Sequence, residues 1–149
     1  MNGSPNQSVY GFETYLLRPG KTEDAIEVAS RENEVIKFEE KTENRYKDLT
    51  GEGLIMATMA QSIFMKESEE LAAMIQEEMA KKIKSKNRGV KQAGFHVLIG
   101  ASMPNILVEA GYLTNRNEEK NLRNAKYRQS IASCIYLSLI HISEPTRPY

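Results

Sequence analysis

Two five-residue apolar runs constrain this chain most. FHVLI occupies residues 95–99 and NILVE occupies residues 105–109. Each is too short for a helix and shows little in–out alternation, which is the pattern of strands covered on both faces. The link between them is short, and Pro104 suits a strand start, where no ladder donor is needed. Helical patterns flank the pair. Leu71, Ile75, Met79 and Ile83 recur every fourth residue, with Met74 beside them, in a long helix expected over residues 54–84. Leu122, Ile131 and Ile135 mark the buried side of a closing helix that ends near Tyr136. With a strand at residues 9–17 and a helix from Thr22 to about Phe38, the order is strand, helix, helix, strand, strand, helix. That order predicts an α/β fold, the C-terminal part of a twisted, mostly parallel sheet flanked by helices.

Local signals set the boundaries. VYGFETYLL is rich in β-prone residues and stops at Arg18-Pro19-Gly20. Thr22 caps the first helix, with Glu23 and Asp24 at its positive end and Ala25, Ile26, Ala29, Val35 and Ile36 on its apolar side. Residues 41–53 form a polar connection, and SKNRGVKQ, residues 85–92, reads as a loop. Asn115 caps the closing helix, with Glu118 placed to bond back to it.

Composition excludes several classes. Twenty basic and twenty acidic residues cancel over 149 positions, so no overall field favours nucleic acid or an anionic membrane. No apolar run is long enough to span a bilayer, and residues 1–20 contain no charged-then-apolar signal segment. The lone cysteine, Cys134, falls in helical register with Ile131 and Ile135 and reads as a buried, inert thiol. His96 and His141 lie far apart and show no ligand spacing.

Glu109 stands at the end of an apolar run, two residues before Gly111. In open α/β sheets the carboxyl ends of strands face the ligand crevice, which favours a catalytic acid there. A salt-bridged or helix-capping structural acid fits the same position.

VEAGYLTN, residues 108–115, is similar to the V-E-T-G-F-[IL]-[ST]-N signature of zinc-dependent N-acetylmuramoyl-L-alanine amidases of the type 3 catalytic domain. GFETYLL (residues 11–17), SEELAAMIQEEM, the block of residues 88–115 and NEEKNLRNAKYRQSIASCIY also resemble that family. Ala110 and Tyr112 depart from the signature and leave the acid in place. The resemblance implies a three-layer domain of a peptidoglycan hydrolase that cleaves the amide between N-acetylmuramic acid and L-alanine. It implies one zinc held by two histidines and a glutamate, with a water at the open position. By position, Glu109 corresponds to the glutamate that takes the water's proton and passes one to the leaving amine. It also implies peptidoglycan as partner and a periplasmic or extracellular location in a bacterial envelope; an activator protein is not identified.

None of the three zinc ligands can be placed in this chain, which has no GHGG turn and no SIH strand end. Met1-Asn2-Gly3 is suited to supply the x-N of the family's H-x-N, with the histidine immediately upstream. His96 is rejected as a substitute ligand because it sits inside an expected strand, where a packed histidine is simpler. Residues 1–136 read as the C-terminal part of an amidase-like catalytic domain lacking its N-terminal strands. LSLIHISEPTR opens residues 137–149, which look like a translated sequencing adapter and are expected to be a non-native tail. The fragment as written is expected to be inactive, and the alternative function is a catalytically dead, amidase-like module that binds cell wall or regulates a partner. The long helix reads as scaffold, because its apolar stripe demands a packed surface.

Overall fold

A computed structural model describes residues 1–18, 23–34 and 63–143. Its elements are β1 (Phe12–Leu17), α1 (Glu23–Glu34), α2 (Met65–Lys82), β2 (Asn87–Ala93), a 3₁₀ turn (His96–Leu98), β3 (Leu107–Glu109), α3 (Arg116–Arg123) and α4 (Ala125–Ser143). The sheet order is β2-β1-β3. β1 runs parallel to β2 and antiparallel to β3, so the α/β expectation holds with a mixed sheet.

Side chains alternate across β1 and sort the helices into two outer layers. On one face Tyr15 packs with Val28 and Ala29 of α1 and with Ala93, Phe95 and Leu98. On the other face Phe12 packs with Leu71, Ile75, Met79 and Ile83, and with Leu122, Ile131 and Cys134. The every-fourth-residue stripe is therefore core, as expected, and Cys134 is buried in it. Ile75 and Met79 are almost fully buried, and removing each from water contributes about 1.5–3 kcal/mol.

Several boundaries differ from expectation. SKNRGVKQ is not a loop, because residues 87–93 form β2. Among the described residues β2 is the outer strand, half-exposed and charged, so it lacks the apolar run that marks an interior strand. FHVLI is not a strand. Phe95 and Leu98 are buried three residues apart while His96 and Val97 face out, which is the spacing of a 3₁₀ turn. Asn33 on α1 pins the turn by accepting from the His96 N–H and donating to the Gly94 carbonyl. NILVE contributes only Leu107–Glu109 to the sheet.

The first helix buries Val28 and Ala29, whereas Ile26 is exposed. The Thr22 cap, Val35, Ile36, the polar connection of residues 41–53 and the expected start of the long helix lie outside the described residues. The closing helix is two helices. Asn124 is extended, and its side chain accepts from the N–H groups of Lys126 and Tyr127, capping α4. α4 does not end near Tyr136 but continues to Ser143, with Ser138 buried along it.

Candidate functional site

Glu109 closes β3, and its side chain is 1% exposed. It pairs directly across β3 and β1 with Glu13, which is fully buried. Opposite residues on adjacent strands point to the same face, so two carboxylates lie side by side at one end of the sheet. The carboxyl end of β3 meets the amino ends of β1 and β2 here, because β3 runs against its neighbour.

Glu13 is saturated. Its Oε1 accepts from Asn2 Nδ2 at 2.7 Å, the Tyr15 hydroxyl at 2.8 Å and the Tyr112 hydroxyl at 2.7 Å. Its Oε2 accepts from Arg88 Nε at 3.0 Å and Lys91 Nζ at 2.5 Å. Burial alone would push its pKa up. The Lys91 contact and the two tyrosine hydroxyls outweigh it and hold the carboxyl below the usual range. Next to this charge the Tyr15 and Tyr112 hydroxyls are pushed up, by burial first and by Glu13 second, and stay protonated donors.

Glu109 is treated differently. Its Oε2 lies 2.8 Å from the Met1 ammonium and takes no side-chain hydrogen bond among the described residues. Burial pushes its pKa up. The ammonium offsets part of this, while Glu32 and Glu13 add to it. A buried carboxyl with few donors holds a proton more readily than an exposed one and is suited to take one up and release it.

The backbone fixes both ends of this arrangement. Asn2 forms a parallel bridge with Tyr112, donating to the Gly111 carbonyl and accepting from the Leu113 N–H, both at 2.9 Å. Glu118 does not bond back to Asn115 as a capping box requires. Its carboxylate accepts from the Gly11 and Tyr112 N–H groups and the Ser85 hydroxyl, tying the start of β1 to the turn after Glu109. Asn115 does cap α3, accepting from the N–H groups of Asn117 and Glu118.

A cavity of about 240 Å³ opens over the donors of Glu13, lined by Gly3, Tyr15, Arg31, Arg88, Lys91 and Tyr112 among others; neither Glu13 nor Glu109 itself lines it. None of its lining residues is a site residue expected from sequence, where Glu109 alone stood out. An acid inside a β-prone run, as in FETYLL, was the available signal for Glu13.

A zinc centre does not fit the side chains present. No three His, Cys, Asp or Glu residues converge among the described residues. His96 is exposed at the head of the 3₁₀ turn, neither in a strand nor packed, and His141 is exposed near the end of α4.

The profile of one protein family, N-acetylmuramoyl-L-alanine amidase, matches residues 1–141. The chain belongs to that family. Among its amidase relatives, LytC of Bacillus subtilis is 36% identical over 69 residues, covering 46% of this chain and 14% of LytC. AmiC of Escherichia coli is 34% identical over 95 residues, covering 64% of this chain and 22% of AmiC. A putative amidase of Buchnera aphidicola is 26% identical over 141 residues, 93% of this chain and 60% of that protein. The crystal structure of an amidase from Clostridium difficile superposes with a TM-score of 0.61 at 22% identity, covering 99% of this chain and 56% of that one. That likeness shows the amidase fold. The chain spans less than two thirds of each of these amidases.

Proposed function

We propose that residues 1–136 are the C-terminal part of the catalytic domain of a peptidoglycan amidase acting in a bacterial cell envelope, periplasmic or extracellular. The bond cleaved is the amide between N-acetylmuramic acid and L-alanine. Glu109 carries the proton, accepting it from the attacking water and returning one to the leaving amine. The observation that carries this reading is the state of Glu109: buried, short of donors, and held at a sheet end opposite Glu13, whose donors line the cavity. Its raised pKa keeps proton transfer accessible, whereas Glu13, one strand away, is locked as an anion.

The described residues do not supply ligands for the zinc of the family. The Met1 nitrogen contacts Glu109, so a residue preceding Met1 would enter the site beside the carboxylate. The H-x-N resemblance of Met1-Asn2-Gly3 is what supports a histidine there, and inactivity of the 149 residues alone is part of the proposal. The test is expression of the domain with its upstream sequence. Glu109→Gln should lower release of L-alanyl peptides from peptidoglycan by about 10²–10⁴-fold while circular dichroism stays unchanged. Retained hydrolysis would remove Glu109 from the mechanism.

The absence of a three-ligand cluster among the described residues also favours a second reading, a module that binds cell wall without cutting it. Peptidoglycan sedimentation without product release, by a chain with its natural upstream sequence, would select that reading. Residues 137–149 remain proposed as a non-native tail; an intact genomic locus encoding them would refute this.

A further inference from the structure

The charges around the cavity do not cancel. Arg88 and Lys91, both on β2, converge on the single carboxylate of Glu13. Arg31 is matched by Glu27 at 2.8 Å, and it also donates to the Gly3 carbonyl. The Met1 ammonium and Glu109 cancel each other, so the remaining three cations face two anions, an excess of one positive charge in a partly closed space. Arg88 and Lys91 are about one-fifth exposed, so this charge is largely withdrawn from water. Both Glu13 oxygens are already filled, by three neutral donors and two cations. Such an excess is costly unless an anion completes it.

The walls restrict what that anion can be. Arg88 stacks over the Tyr112 ring at 5.4 Å, and Lys91 lies over the Tyr15 ring at 5.8 Å, so both cations are held in place. A cavity of about 240 Å³ is smaller than a pocket for a whole ligand and suits one side chain or one short acidic group. Through Glu13, whose donors line it, the cavity lies one strand away from Glu109. Tyr112 lines it three residues after Glu109, and Glu13 beneath it is the cross-strand partner of Glu109.

We propose that this cavity is a carboxylate-binding subsite that takes an acidic residue of the peptide arm close to the scissile amide, with Arg88 and Lys91 supplying the charge. The proposal rests on the peptidoglycan-amidase reading, and it makes the site selective for a free carboxylate over its amide. The two forms are nearly equal in size, so charge alone separates them.

The test is binding to the full 149-residue chain, followed by amide chemical shifts. Two dipeptides serve as probes, L-alanyl-D-glutamate and L-alanyl-D-isoglutamine, which differ by one carboxylate against one carboxamide. The acid should bind roughly tenfold more tightly at low salt, with shifts centred on residues 88–91 and 112. The preference should shrink as salt screens the charge. Lys91→Gln should abolish the preference, and Arg88→Lys, which retains the charge, should keep most of it. Equal binding of the two dipeptides, or binding of neither, overturns the subsite without needing any variant. Preference for the acid, with no hydrolysis of peptidoglycan by the domain carrying its upstream sequence, would uphold the subsite and sink only the amidase reading. Hydrolysis by that longer domain, with no preference between the dipeptides, would do the reverse.

Discussion

Glu13 and Glu109 are opposite partners on adjacent strands, and both are buried, yet their surroundings differ in kind. Glu13 receives five donors, two of them cationic. Glu109 has the Met1 ammonium. The contrast teaches that burial does not mark a carboxylate as chemical. What separates a structural anion from a proton carrier is whether its lone pairs are already committed. Glu118 makes the same point: it is also buried, and it is committed to two backbone N–H groups and a hydroxyl.

The contrast breaks most severely at Glu13. Glu13→Ala leaves Arg88 and Lys91 facing each other without their anion and strips the partner from Asn2, Tyr15 and Tyr112. A loss of about 3–5 kcal/mol is expected by urea denaturation, the usual cost of breaking a buried ion cluster by removing one member. Glu13→Gln keeps the shape and should still lose much of the stability, because the two cations need charge. The sign with pH follows from the depressed pKa of Glu13. Its stabilisation is present above the unfolded carboxyl value, about 4.3, and is lost as pH falls through the folded one. A stability profile flat down to pH 2 would contradict the description of Glu13 as a locked anion.

A smaller effect is expected at Gly11, which aims β1 so that Glu13 points inward. Its φ is +119°, and a Cβ there would sit 2.3 Å from the Lys86 carbonyl oxygen. Its N–H also donates to Glu118. Gly11→Ala should cost at least about 1–3 kcal/mol through backbone strain alone. Measured against Glu13→Ala, it separates the effect of strand placement from the effect of charge.

The sequence made some of this legible and hid the rest for identifiable reasons. The stripe of Leu71, Ile75, Met79 and Ile83 was readable because a helix against a sheet repeats its burial every turn. Glu109 was readable because an acid ending an apolar run stands out, and because the signature around it resembles a family. β2 was hidden because a half-exposed outer strand carries Arg88, Lys91 and Gln92 where an interior strand carries apolar residues. FHVLI misled because apolar composition does not distinguish a buried strand from a 3₁₀ turn that hides every third residue. Glu13 was invisible as a site because its role depends on five residues spread from position 2 to position 112. No local pattern encodes such a convergence.

The smallest expected effect sharpens the comparison most, because it reverses sign. Glu109 has a raised pKa, caused first by burial. A carboxyl raised on folding contributes stability that is fully present below the unfolded value and is lost as pH rises through the folded value. Near neutral pH its ionised form is therefore a cost, only partly offset by the Met1 ammonium. Glu109→Gln removes that charge and keeps the shape, so it should raise the stability of the protein at pH 7, while the hydrolysis proposed for the longer protein falls away. The gain should vanish below about pH 4, where the wild-type carboxyl is protonated in both folded and unfolded states. Thermal melts of the two proteins at pH 4 and pH 7 check it. Destabilisation at pH 7 would mean that Glu109 is held by its ion pair as firmly as Glu13 is held by its five donors. The two carboxylates would then be alike, and nothing physical would distinguish Glu109 as a proton carrier.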